Sequence, residues 1–186
     1  CASGPDLNVW HVDFSRDGRW LAATKADGIC VFHVEDGRRV FFQPADQTRV
    51  AYFLPGDRQL LTASTHRIAL WPIQADSSGD EPRFSLGKYQ LLPLTNFARL
   101  ELGAPTPDRR RFAVPISHTE LALFDLEQRA ELTRFTNGIV PRCPSFSPDG
   151  RWLATGTFHG RGTRVWDVVT GQPVHDFNEG NAGVCF

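Results

Sequence analysis

The stretch from Phe146 to Val174 reads FSPDGRWLATGTFHGRGTRVWDVVTGQPV. Three apolar runs, one ending at Phe146, one from Trp152 to Thr155 and one from Thr163 to Val168, alternate with the turn clusters Pro148-Asp149-Gly150 and His159-Gly160-Arg161-Gly162. Apolar, β-branched and aromatic runs bounded by Gly, Pro and Asp mark strands and tight turns, so the stretch predicts a small antiparallel meander. A meander this short buries too little apolar surface to stand alone, and a chain built on it must repeat it.

The repeat is present. Phe14-Ser15-Arg16-Asp17-Gly18-Arg19-Trp20-Leu21-Ala22 matches Phe146-Ser147-Pro148-Asp149-Gly150-Arg151-Trp152-Leu153-Ala154 at all but one position. Weaker copies begin at Phe53 and at Pro105, so successive anchors are separated by 39, 52 and 41 residues. The last residue, Phe186, stands 40 residues beyond Phe146, where a fifth anchor would fall. A second landmark runs in step: Val31-Phe32-His33-Val34, Leu70-Trp71-Pro72-Ile73, Leu123-Phe124-Asp125-Leu126 and Val165-Trp166-Asp167-Val168.

With this period, about four short strands per copy and a Trp-Asp pair in the last copy, the sequence resembles the WD-repeat family of β-propellers. The resemblance covers residues 9–186. It implies an all-β fold, a propeller segment of four four-stranded antiparallel blades over residues 9–42, 48–94, 100–135 and 140–177, plus the first strand of a fifth at 183–186. It also implies one propeller domain over 1–186, with the first strand of each blade innermost, the fourth outermost, and further blades outside the chain. Phe14, Leu21, Phe53, Leu60, Phe146, Leu153, Trp71 and Trp166 are then expected to pack between blades. In the family a His, a Ser or Thr, an Asp and the repeat Trp can form a buried bonded set; Trp166 and Thr155 match two of its positions. The Pro-Asp-Gly-Arg-Trp-Leu turn is similar to that of bacterial members, some of them joined to signalling domains.

Within the first copy the expected strands are Val9–Phe14, Trp20–Thr24, Ile29–Val34 and Arg38–Phe42, with Asp27-Gly28 as a two-residue hairpin loop. After Trp71 about a dozen extra residues lie between Gln74 and Leu100. Ala75–Pro82 reads as a loop and Phe84–Leu94 as the outer strand, so deleting Ala75–Pro82 should spare the fold and weaken partner binding. The acidic residues Asp76, Asp80 and Glu81 make this insertion a candidate binding loop, against the plainer reading of a tolerated surface insertion. In the third copy Pro105, Pro107 and Pro115 lack a backbone donor, so at least one must sit at a strand end or bulge.

Lys plus Arg total 20 and Asp plus Glu 21. This balance argues against nucleic acid or an anionic membrane as the partner, and Arg109-Arg110-Arg111, the one basic run, reads as a solvated turn, with a contact to an acidic partner as the sharper alternative. No apolar run approaches the ~20 residues of a bilayer span. The chain has no methionine, which predicts a processed product or an excerpt of a longer protein. Cys1, Cys30, Cys143 and Cys185 show no metal spacing and read as buried or half-buried thiols, favouring a reducing, cytoplasmic location. Cys1-Ala2-Ser3-Gly4 resembles the start of a mature bacterial lipoprotein, which gives lipid anchoring through Cys1 as the alternative.

Thirteen residues beyond each anchor stand Asp27, His66, His118 and His159, all in the predicted turn between second and third strands. Equivalent positions on neighbouring blades are too far apart for a shared zinc, whose ligands lie ~2 Å from the metal. The enrichment of His and Asp at positive φ explains the pattern instead. With Arg161, these residues form a candidate binding face. No G-x-S-x-G elbow, H-E-x-x-H pair or phosphate-cradling glycine loop is present. The expected function is therefore a non-catalytic scaffold for another protein or peptide, without catalytic residues, metal or cofactor, as a sensory or regulatory propeller. The alternative is a lactonase- or hydrolase-type propeller enzyme.

Overall fold

The computed structural model describes residues 8–45, 47–76, 81–94, 102–136, 142–156 and 162–178, and they form two compact units, 1–92 and 93–186. The fold is all-β, with four antiparallel sheets and a single 3-10 turn at Pro55–Asp57 among the described residues. The fifth-blade strand expected at 183–186, Cys1 and Cys185 lie outside the described residues.

In unit one the first sheet has the order β1 (His11–Phe14), β2 (Trp20–Lys25), β3 (Gly28–His33) and β4 (Arg39–Pro44). The turn into β2 is built by Ser15, which is buried. Its hydroxyl accepts the Trp20 N–H at 2.9 Å and donates to Asp17 Oδ1 at 2.6 Å, while Asp17 Oδ1 accepts the Arg19 N–H at 3.0 Å. A side-chain oxygen thereby replaces the water that the turn's amides would otherwise need. The next turn differs from its expectation. Lys25 pairs with Gly28, so the two-residue loop is Ala26-Asp27 and Gly28 opens the strand. Gly28 has φ 156, and a Cβ there would lie 2.2 Å from Gln43 O, so the glycine serves the close approach of β4.

The second sheet contains β5 (Thr48–Phe53), β6 (Gln59–Ser64), β7 (Ile68–Asp76), β8 (Arg83–Leu86) and β9 (Gln90–Leu91). The insertion proves to be a hairpin extension. β7 continues through Ala75 and Asp76, where a loop was expected, and pairs there with β8, while its first half pairs with β9. Phe84 is buried against Trp20, Phe41 and Phe53 at ring separations of 5.5, 5.6 and 6.4 Å. Ala75–Pro82 includes the end of β7 that pairs with Arg83 and Phe84, so its deletion is expected to loosen the packing of Phe84 as well as remove the loop.

The two sheets of unit one meet through alternate residues of their strands. Trp20, Ala22, Ile29 and Val31 from the first face Ala51, Phe53, Leu60, Ala69 and Trp71 from the second. Edge amides of β5 are satisfied by side chains of β1: Asp13 accepts the Phe53 N–H at 2.9 Å and His11 Nδ1 the Ala51 N–H at 3.5 Å. The opposite face of the first sheet carries Val12 and Phe14, and Phe14 is 54% exposed. Its expected burial between blades is therefore not found, and Leu21 beside it is only half-buried. The residues that the first sheet packs against the second, Trp20, Ala22, Ile29 and Val31, lie on the other face.

Unit two holds β10 (Ala104–Pro105), β11 (Arg111–Pro115), β12 (Glu120–Asp125) and β13 (Ala130–Thr136) in one sheet. β14 (Arg142–Phe146), β15 (Trp152–Gly156), β16 (Thr163–Asp167) and β17 (Pro173–Phe177) form the other. Pro105 and Pro115 end strands and Pro107 lies in a turn, while Pro144 falls within the register shift of β14. Leu121, Leu123 and Phe135 pack against Phe146, Leu153, Trp166 and Val168. The Ser15 clasp recurs twice, as Thr106 with Asp108 and as Ser147 with Asp149. Cys30 is buried as expected, but Cys143 is exposed, because a register shift between Arg142 and Ser145 bulges β14 and sets Cys143 at φ 45.

Candidate functional site

Strand polarity sorts the candidate residues. In unit one both sheets run in the same sense, since the β1–β2 turn meets the β5–β6 turn: Asp57 accepts the N–H of Arg16 at 2.9 Å and that of Asp17 at 3.3 Å. The end where β1 and β5 begin, here the starting end, carries the β2–β3 loop with Asp27 and the β6–β7 loop with His66. Asp76 and Glu81 flank the tip of the extension, beyond Gln59 at the opposite end. The structure therefore brings Asp27 and His66 to one end and separates them from the insertion. In unit two His118 occupies the matching loop between Pro115 and Glu120. His159, Arg161 and Asp80 lie outside the described residues.

Asp27, His66 and His118 are all exposed, and Asp27 sits 3.5 Å from Lys25 Nζ. None of the three has a positive φ, which overturns the backbone explanation for their recurrence. The positive φ in the first loop belongs to Gly28, while the third loop is closed by Ser117 Oγ, which accepts the N–H groups of Thr119 and Glu120 at 3.2 and 3.1 Å. Solvent exposure at a loop apex is the shared property of these positions. Among the described residues no three His, Cys, Asp or Glu side chains are grouped to hold a metal ion.

The positive-φ residues that do recur lie in the other turn. Gly18, Asp57, Arg109 and Gly150 occupy one repeat position, at φ 73, 54, 56 and 71. Beside it, the clasped aspartates are held below the ordinary carboxylate range. For Asp149 the Ser147 hydroxyl is the leading cause, followed by the Arg151 N–H. For Asp17 and Asp108 partial burial pushes upward, and the hydroxyl, the backbone N–H and the neighbouring arginines together outweigh it. These are structural carboxylates.

Several features were missed from sequence. Trp71 Nε1 donates to Thr62 Oγ1 at 2.9 Å, a shorter counterpart of the expected pair Trp166 Nε1 to Thr155 Oγ1 at 3.4 Å. A threonine at the equivalent position in the middle strand was the available signal. At the starting end of unit one, Arg49 lies over the Trp10 ring with 4.6 Å to the centroid, and Arg67 over Tyr89 with 5.5 Å. Trp10 and Arg49 share one repeat position, four residues before Phe14 and Phe53. A groove of ≈ 290 Å³ at the opposite end is lined by Asp17, Arg19, His33 and Glu35. His33 Nδ1 faces Asp36 Oδ1 at 3.2 Å.

A family profile described as WD domain, G-beta repeat matches residues 2–33 and 128–167. The matched segments include β1 to β3 and β14 to β16, the two copies of the near-identical turn. Together they cover less than half of the 186 residues. The chain matches none of the curated proteins compared with it. No helix among the described residues is long and apolar enough to cross a membrane.

Proposed function

We propose that the chain is a segment of a WD-repeat propeller acting as a non-catalytic scaffold, and that it binds another protein or peptide through the loops between the second and third strands of its sheets. The observation that carries this reading is the exposure of Asp27, His66 and His118 at one repeat position on strands whose cores are tightly packed. Loops held by a rigid scaffold are where recognition concentrates. The repeat profile supports the reading, because proteins built from such repeats generally serve as interaction platforms. On this view the loop of His159 and Arg161 takes part in binding as well, and Asp76, Asp80 and Glu81 form a further contact on the extension hairpin. Further blades complete the ring, and the propeller is the sensory or regulatory part of a larger bacterial signalling protein.

A photoreactive residue placed at His66 or Glu81, with Val174 on an outer strand as control, tests the proposal. Protein adducts at 66 or 81 and none at 174 are expected. Absence of adducts at both loops would overturn it. So would stoichiometric bound calcium or zinc together with turnover of a lactone or ester, which would establish the propeller-enzyme alternative.

A further inference from the structure

We infer that the starting end of unit one recognises acidic peptide segments, with Arg49 stacked on Trp10 as the principal contact and Arg67 stacked on Tyr89 as the second. This rests on the scaffold reading and names the chemistry of its ligand. Among the described residues neither guanidinium has a carboxylate partner, unlike Arg134, which pairs with Glu131, or Lys25, which pairs with Asp27. Each is half-buried, and each has one face against an aromatic ring.

Stacking occupies the face of a guanidinium and leaves its N–H edge free for a carboxylate, the fork-to-fork geometry that makes arginine suited to acidic ligands. It also fixes the side chain before binding, so less rotamer entropy is lost when the ligand arrives. His11 and Tyr52, with rings 4.4 Å apart and edge to face, continue the half-buried aromatic strip from Trp10 along the inner strands. The one carboxylate among the described residues of this end is Asp27, already facing Lys25. The described residues of this end therefore carry more positive than negative charge, within a chain of net charge −1. Two point contacts in a chain so balanced do not make the extended basic track that a nucleic-acid backbone requires, which leaves an acidic peptide as the matching partner.

The test uses the full 186-residue chain and fluorescence anisotropy with equal-length labelled peptides rich in Glu, in Gln or in Lys, and a single-stranded oligonucleotide. The Glu peptide should bind at least about tenfold more tightly than the Gln peptide, as charge-assisted bonds exceed neutral ones. Arg49→Gln should remove most of that preference, Arg67→Gln a smaller part, and Arg49→Lys should restore only some of it. Arg151→Gln, which removes the stacked arginine over Trp152 in unit two, should change nothing. Thermal melts report whether each variant stays folded. Equal binding of Glu and Gln peptides, no binding of either, or an Arg49→Gln variant that still prefers Glu would overturn the inference. Tighter, Arg49-dependent binding of the oligonucleotide would replace it with a nucleic-acid site. If Gln and Glu peptides bind alike and a His66→Ala variant loses both, the scaffold reading stands and the acidic ligand alone is rejected.

Discussion

The first and fourth sheets contain the same nine-residue turn with one substitution, and the two copies behave alike up to a sharply defined point. The hydroxyls of Ser15 and Ser147 reach their aspartates at 2.6 and 2.5 Å, and both accept a tryptophan N–H at 2.9 Å. The glycines that follow have φ 73 and 71. Yet the aromatic that opens the motif is 54% exposed as Phe14 and 7% exposed as Phe146. The tryptophans reverse the order, with Trp20 buried beneath Phe84 and Trp152 half-buried beneath Arg151. Local sequence dictates the turn, because its donors and acceptors lie within a few residues of one another. Burial is dictated by which sheet lies alongside, and nine residues hold no information about that.

The largest effect that would sharpen the contrast is a paired truncation. Phe146→Ala should cost about 3–5 kcal/mol of unfolding free energy in urea, the range for emptying a packed aromatic site, and Phe14→Ala less than about 1 kcal/mol. Equal costs would mean that Phe14 is covered in solution. Next come the threonines beneath the indoles. Thr62→Val should lose about 1–3 kcal/mol by orphaning a buried N–H, and Thr155→Val less, since its contact is 3.4 Å against 2.9 Å.

The serines should then behave identically, unlike the phenylalanines. Ser15→Ala and Ser147→Ala are each expected to cost about 1–2 kcal/mol, for a lost turn bond and an unpaired tryptophan N–H; unequal costs would show that context reaches the turn. Acid sharpens the point further. Asp149 is held below its ordinary value, so its contribution is fully present above the unfolded-state pKa and disappears as the pH falls through the folded-state pKa. Urea midpoints of wild type and Ser147→Ala should therefore draw closer as the pH drops below about 4, leaving the share that comes from the Trp152 N–H. The smallest expected effect is at the seam between neighbouring turns. Arg16→Pro should lose about 0.5–1.5 kcal/mol with the Asp57 bond, and little once Asp57→Gly has already removed the acceptor.

Strands and turns were legible in the sequence because they depend on period and on Gly, Pro and Asp. The strands of the first sheet fall within two residues of their expected bounds, and Phe53, Leu60, Trp71, Phe146, Leu153 and Trp166 are buried as the repeat implied. Phe14 was misjudged since repetition equates positions without supplying equal neighbours. The extension was read as a loop because Ala75-Asp76 carries no β-branched signal; it is strand because β8 bonds to it and Phe84 anchors the return. For the candidate loops the placement of Asp27, His66 and His118 between second and third strands was legible, and the reason for it was not. Their backbone is unstrained, while the left-handed position lies in the other turn, where Asp57 and Arg109 conceal it by replacing glycine. The Arg49–Trp10 stack was hidden because it joins residues 39 positions apart in sequence.

The Asp57 contact has a bearing on how the chain could be rearranged. Its carboxylate takes two amides of the preceding repeat, and one of them, the N–H of Arg16, is lacking in the later copies, which carry Pro55, Pro107 and Pro148 at that position. Asp57 itself departs from the glycine found there as Gly18 and Gly150. The two deviations compensate each other only when the first repeat directly precedes the second. A shuffled gene that kept every repeat but parted the first from the second would break this match, so these two copies are addressed to each other, like keyed sections that join in one succession.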